Sequence, residues 1–239
     1  MQCILTSSSV LPGTDTLNPA NGLIDRLRAC LPEPCAALFV CSDPDNRERT
    51  DRFAAAVRAS FEKEGFAFSR FDVLDGRTQA DAAALVRSAG LIVLAGGHVP
   101  TQNRFFAAIG LRGLLRDFDG VLVGISAGSM NSAETVYAQP ELPGEAVDPA
   151  YRRFLPGLGL TEKMLLPHYQ AIRDDVLDGL RVMEDIAYPD SRGREFYALP
   201  DGSYLYCDGD REELCGPAYR IADGVLTPLP AGEKAGDPA

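Results

Sequence analysis

The stretch Gly124-Ile125-Ser126-Ala127-Gly128 follows directly on the apolar run Val121-Leu122-Val123 and constrains the backbone more tightly than any other part of the chain. A G-x-S-x-G pattern after a strand turns the chain sharply into a helix, and the small residues two before and two after the serine make that turn sterically feasible. The serine is left on a strained backbone with its hydroxyl exposed, which is the placement of a nucleophile. The plainer reading is a serine that caps the following helix. A base decides between the two, because a serine hydroxyl is a weak nucleophile near neutral pH.

The chain has 2 histidines. His98 stands in Ala95-Gly96-Gly97-His98 after the strand-like run Leu91 to Leu94, and His168 stands in Leu165-Leu166-Pro167-His168 after another apolar run. Both fall at expected carboxyl ends of strands, where sites collect in open α/β sheets. A Ser, acid, His order would need an acid between 126 and 168; Glu141, in the loop beyond the elbow, is the alternative triad acid and is otherwise expected among the substrate-binding residues. A Ser, His, acid order pairs Ser126 with His168 and places the acid downstream, at Asp201 in Leu199-Pro200-Asp201-Gly202-Ser203. Each acid has a plainer reading: Pro-Asp-Gly is turn chemistry in its own right, and Glu141 suits a solvated loop. His98 precedes the nucleophile and is expected to line the substrate pocket or serve a structural role rather than act as the base. The oxyanion of acyl transfer needs backbone donors. The N–H of Ala127, next after the nucleophile, is one, and Gly97 is the expected second because glycine permits close backbone approach.

In this order and at these spacings, Gly96-Gly97, the elbow 124–128, His168 and Pro200-Asp201-Gly202 resemble peptidase E, the aspartyl dipeptidase, and its cyanophycinase relatives. The resemblance covers roughly residues 35 to 206. It implies a flavodoxin-like α/β fold related to class I glutamine amidotransferases: a mostly parallel sheet with helices on both faces, an elbow serine, and a Ser-His-acid triad of Ser126, His168 and Asp201. Three positions depart from the family habit: Asp201 replaces the usual Glu, His98 stands where Asn or Asp is common, and Ser129 where Ala is common. The resemblance also implies a carboxylate-binding arginine shortly after the catalytic histidine, and Arg173 holds the comparable place. Its planar fork suits a carboxylate. The implied activity is hydrolysis of short peptides, with a preference for amino-terminal Asp, and without metal or organic cofactor. The alternatives are a cyanophycinase-like amidase or esterase, and an inactive member of the fold that binds a small ligand. A glutamine amidotransferase is disfavoured because those enzymes carry cysteine at the elbow.

At 239 residues the chain has room for one α/β domain, expected over residues 1–231, with 232–239 as a disordered tail. A formal net charge of -11 and the lack of a basic stripe argue against nucleic acid. No apolar run approaches the roughly 20 residues that span a bilayer, and the amino terminus does not read as a secretory signal. The 6 cysteines are scattered without a C-x-x-C pair, as expected of reduced thiols in a cytoplasmic protein. The expected partners are a short peptide substrate and a second copy of the chain in a homodimer, with neither nucleic acid nor membrane.

Alternating strand-like and helix-like runs predict a parallel sheet. Strands are expected at 3–7, 36–41, 66–71, 90–94 and 121–125, and helices at 21–31, 50–64, 79–88, 101–109 and 111–118. The Pro-rich, acid-bearing segment 139–157 reads as a loop or lid. Residues 174–186 read as a helix with acids in its first turn, and short strands are expected at 196–199, 204–207 and 218–221, with an Asp223-Gly224 hairpin.

Overall fold

The protein is described here by a computed structural model covering residues 1–230; the expected tail 232–239 lies outside the described residues. Five parallel strands build the centre: β1 (Gln2–Thr6), β2 (Cys35–Val40), β3 (Phe68–Leu74), β4 (Leu91–Leu94) and β5 (Val121–Ile125). They lie in the order β1-β5-β4-β2-β3, and Tyr204–Asp208 and Arg211–Cys215 extend the β1 edge as antiparallel strands. β4 and β5 are buried along their whole length. That burial is why both read as continuous apolar runs rather than alternating ones. The fold is α/β, with a mostly parallel sheet whose strands alternate with helices.

The chain runs from β2 outward to β3 and then returns past β2 to β4 and β5. The sheet therefore reverses direction between β2 and β4, and the crevice outside their carboxyl ends is where such sheets bind ligands. A larger cavity of about 830 Å³ lies at the opposite end, among Gln2, Gly90 and Val121 at the amino ends of the strands. The elbow serine and both histidines sit at the carboxyl end.

The helices fall near their sequence-predicted places. Arg47–Lys63 is capped by the Asn46 side chain, which accepts the Arg49 N–H, and it buries Ala54, Val57 and Phe61 at helical spacing. One sheet was not foreseen and one expected helix fails. A separate four-stranded sheet, in the order Val225–Leu229, Ala218–Ala222, Glu195–Ala198, Met164–Leu166, stands beside the central one. It closes over its own small core around Phe196, Leu166, Met183 and Ile221. Residues 174–186 are not one helix: Val176–Leu177 and Leu180–Arg181 form a hairpin, and only Val182–Ala187 is helical. Asp178 and Gly179, at φ 55° and 82°, form its two-residue turn. Asp-Gly is the preferred pair for a turn with positive φ at both positions, and it overrides the helical pattern around it. Asp223-Gly224, expected as a hairpin, joins the two strands that flank it. The segment 139–157 is largely turns, but Phe154–Pro156 pairs with Thr135–Tyr137 as a short strand.

Candidate active site

The elbow is built by β5 and its neighbour β1. Ser126 takes φ 51° and ψ −110°, a conformation that costs a non-glycine residue about 1–3 kcal/mol. Three hydrogen bonds through Thr6 hold the turn. The Ser126 N–H and the Ser129 hydroxyl donate to the Thr6 carbonyl at 3.1 and 2.8 Å, and the Thr6 hydroxyl donates to the Gly124 carbonyl at 2.8 Å. Ser129 thus has a structural task that alanine could not perform. Gly128 packs so tightly against the β4 backbone at Leu94 that a side chain there would collide.

His168 and Asp201 come from the second sheet. Met164–Leu166 and Glu195–Ala198 are parallel neighbours with Leu166 opposite Ala198, so both strands end at the same level. The Leu199 N–H donates to the Leu166 carbonyl at 2.9 Å and the Tyr169 N–H to the Leu199 carbonyl at 3.2 Å, which aligns the two loops that follow. His168 adopts φ 57° and ψ 32°, a left-handed turn that swings its ring back toward the elbow. Its Nε2 lies 2.9 Å from the Ser126 Oγ and its Nδ1 lies 2.7 Å from the Asp201 Oδ1. Asp201 also accepts the Ser7 hydroxyl at 2.8 Å, and Ser7 in turn accepts the His168 N–H at 2.8 Å. Burial opposes the charge on Asp201, yet the hydrogen bonds and charge of His168, with the Ser7 hydroxyl, outweigh it and hold the carboxyl below its ordinary value. Ser7 closes the constellation from the end of β1. Only its place at a strand end could have marked it in the sequence.

The backbone beside the nucleophile offers donors. Ala127 opens the helix Ala127–Met130, so its N–H has no acceptor within that helix. Gly97, at φ 151°, follows β4, and a side chain there would strike Ser42 at the end of β2. Gly97 lines both cavities that meet at Ser126 and His168, one of about 360 Å³ and one of about 330 Å³.

Gln139, Glu141 and Leu142, from the lid-like loop, wall the first cavity, with His98, Arg49 and Ile172. Glu141 makes no hydrogen bond to His168; it is an exposed residue on the wall of the cavity. Desolvation and the neighbouring Glu145 push its carboxyl up to about 7, against the pull of His168. A carboxyl raised on folding keeps a proton that the unfolded chain has lost, so stability falls as pH rises from about 4.5 to about 7. Glu141→Gln is expected to flatten that part of a Tm-against-pH curve; curves of equal slope would mean that Glu141 titrates normally.

His98 lines the cavity, and both of its ring nitrogens are engaged in structural bonds. Its Nδ1 bonds the Thr101 hydroxyl and its Nε2 bonds the Glu145 Oε1, both at 2.8 Å. The other Glu145 oxygen accepts the N–H groups of Glu141 and Leu142 at 2.9 and 3.0 Å, so the pair ties the loop to the end of β4. On the outer side, Asp178 of the hairpin accepts N–H groups of Gly144 and Ala146 at 2.8 to 3.1 Å. Arg173, expected to hold a substrate carboxylate, lines neither cavity: its side chain is 57% exposed and bonds Asp174. Ile172 faces the cavity, and the next residue is turned about 100° around the same helical turn. The arginine that does line both cavities is Arg49, near the start of the helix Arg47–Lys63. Nothing in its sequence neighbourhood marked it.

The profile of peptidase family S51 matches residues 3–215. The chain belongs to peptidase family S51. This S51 chain is a serine peptidase by that membership, and the resemblance to peptidase E stated from its motifs holds. No curated protein matches it significantly in sequence. Among solved structures it is similar to a crystal structure of a peptidase from an acI-B1 actinobacterium, at 18% identity over 98% of this chain and 95% of that one, with a TM-score of 0.67. It is also similar to a protein from Listeria monocytogenes EGD-e assigned to peptidase E, at 16% identity over 96% and 98%, with a TM-score of 0.60. At such identities the likeness shows the shared fold. Among the described residues of this S51 peptidase no helix is long and apolar enough to cross a membrane, and no group of three or more His, Cys, Asp or Glu could hold a metal ion.

Proposed function

We propose that this chain is a peptidase E-type hydrolase of short peptides in which Ser126, His168 and Asp201 form the catalytic triad. The observation that carries this reading is the continuous hydrogen-bonded line from the Ser126 Oγ through both ring nitrogens of His168 to Asp201, at 2.9 and 2.7 Å. With Asp201 ionised, the His168 Nδ1 carries the proton and Nε2 is left as the acceptor of the Ser126 hydroxyl. Attack on a peptide carbonyl forms the Oγ–C bond while Nε2 takes the hydroxyl proton. The N–H groups of Ala127 and Gly97 receive the oxyanion. His168 then protonates the departing amine, and a water molecule activated by the same nitrogen releases the acyl group. Asp201 keeps its charge throughout and stabilises the imidazolium.

The loop pinned over the site by Glu145 and Asp178 favours peptides of a few residues over folded proteins. A preference for amino-terminal Asp no longer has Arg173 to support it, and Arg49 is the cation placed to take its part. A fluorophosphonate probe tests the nucleophile directly. Labelling is expected at Ser126 alone and should vanish when the protein is unfolded; a folded, unlabelled protein would mark a ligand-binding member of the fold instead.

A further inference from the structure

Two consecutive residues at the end of β1 serve the two halves of the site. Thr6 holds the turn of Ser126 through three hydrogen bonds. Ser7 meets the other half: its hydroxyl lies 2.8 Å from the His168 backbone nitrogen and 2.8 Å from the Asp201 Oδ1. A backbone N–H can only donate, so the hydroxyl accepts there and its single proton is left for the carboxylate. Among the described residues, the Asp201 Oδ1 accepts from this hydroxyl and from the His168 Nδ1.

The three residues differ in how firmly they are held. Ser7 is fully buried, and its own N–H donates to the Ser203 carbonyl at 3.1 Å, next to the pairing of β1 with Tyr204–Asp208. His168 and Asp201 stand on loops beyond short strands of the second sheet, with side chains 38% and 22% exposed. The Asp201 main chain is tied by its N–H to the Gln170 Oε1 at 2.9 Å, but that bond does not fix the rotation of the carboxylate. A displacement of about 1 Å in a catalytic constellation can cost about a hundredfold in rate, and groups on strands hold geometry more precisely than groups on loops.

We propose that Ser7 is a positioning residue of the triad, whose hydroxyl clamps the Asp201 Oδ1 in line with the His168 Nδ1 and anchors the left-handed turn that carries the His168 ring. The base and the acid, both carried by the second sheet, are thereby set against the nucleophile by the strand end that also holds the elbow. The hydroxyl proton adds to the charge-assisted bonds that stabilise the carboxylate. Its oxygen satisfies the N–H of a residue at φ 57°. Ser7 lines neither of the cavities at Ser126, so it acts through Asp201 and His168 and not on the substrate. The inference rests on Ser126, His168 and Asp201 being the triad, and it adds a fourth side chain that sets their geometry.

Fluorophosphonate labelling of Ser126 tests this without a known substrate. Following the labelling rate against probe concentration separates a maximal rate from a half-saturating concentration, in the full-length wild type, Ser7→Ala, Asp201→Asn and the double variant. Ser7→Ala is expected to lower the maximal rate at least about tenfold, the effect of one charge-assisted hydrogen bond. The half-saturating concentration should stay within about threefold of the wild type, because the cavity walls are untouched. On the Asp201→Asn background the same change should cost less than about threefold, because the carboxylate through which the hydroxyl works is already gone. A serine with a structural task alone would give the reverse, a full multiplication of the two losses. Should Ser7→Ala fail to fold, Ser7→Cys, a small side chain with only a weak donor and a weak acceptor, carries the same test. In a wild type that labels normally, a smaller fall in maximal rate, a change confined to the half-saturating concentration, or an equal loss on both backgrounds overturns the positioning role alone. A wild type that is not labelled overturns the nucleophile and the positioning role together.

Discussion

Ser126→Ala abolishes hydrolysis, with a loss of at least about a thousandfold in kcat, and leaves the fold in place. The expectation follows from what the side chain does and does not touch. The Ser126 Oγ bonds the His168 Nε2, whereas the bonds that shape the elbow run through its backbone: its N–H to the Thr6 carbonyl at 3.1 Å and its carbonyl from the Met130 N–H at 3.0 Å. Alanine keeps both and adds no bulk. The turn at φ 51° strains serine and alanine alike, so Tm should hardly move. Adding His168→Ala to the serine variant should reduce turnover little further, because members of a triad act as a unit. Purified Ser126→Ala that turns over short peptides at the wild-type rate would exclude the serine mechanism, while a parallel fall in Tm and activity would point to a structural serine.

How much of this site could be read from the sequence depended on how local the causes were. The elbow was legible because steric limits on five consecutive residues define it, and Ser126 stands where that pattern puts it. His168 and Asp201 were legible as strand-end residues in the right order, but the sheet that carries them was not. Met164–Leu166 and Glu195–Ala198 are brief and become neighbours only in three dimensions. The hairpin at Asp178-Gly179 was visible as a turn dipeptide and lost to an apparently helical pattern of acids and leucines. Arg173 was placed by the resemblance alone, and after the turn Tyr169–Ile172 its side chain lies exposed against Asp174. Ser7, Arg49, Gln139 and Glu145 are ordinary residue types in ordinary surroundings, and what singles them out is their place in the fold. Sequence could nominate the groups that chemistry makes rare. The groups that position them required the fold.

Asp201→Asn is expected to lower turnover by up to about four orders of magnitude without altering the shape of the site. In the proposed triad the carboxylate does two things at once: it accepts the His168 Nδ1 proton at 2.7 Å and it opposes the charge that His168 would gain on taking the serine proton. Asparagine fills the same volume, but the Ser7 hydroxyl and the His168 Nδ1 share the Asp201 Oδ1. Its amide nitrogen, turned toward Nδ1, would hold the ring in the opposite tautomer, with the proton on Nε2 and no lone pair there to receive the proton of Ser126. Four decades correspond to about 5.4 kcal/mol, more than loss of one neutral hydrogen bond would cause, so the charge and the tautomer together must carry the effect. Glu141→Gln provides the contrast. Glu141 affects His168 only through space, so its loss should weaken substrate binding and leave kcat on saturating peptide within about tenfold of the wild type, the effect of one neutral hydrogen bond or less. Steady-state kcat and KM for the two variants on one peptide separate these roles. An Asp201→Asn enzyme that keeps most of its kcat beside an inactive Glu141→Gln would transfer the orienting role to Glu141 and leave the bond between Asp201 and His168 as a structural tie between the two loops.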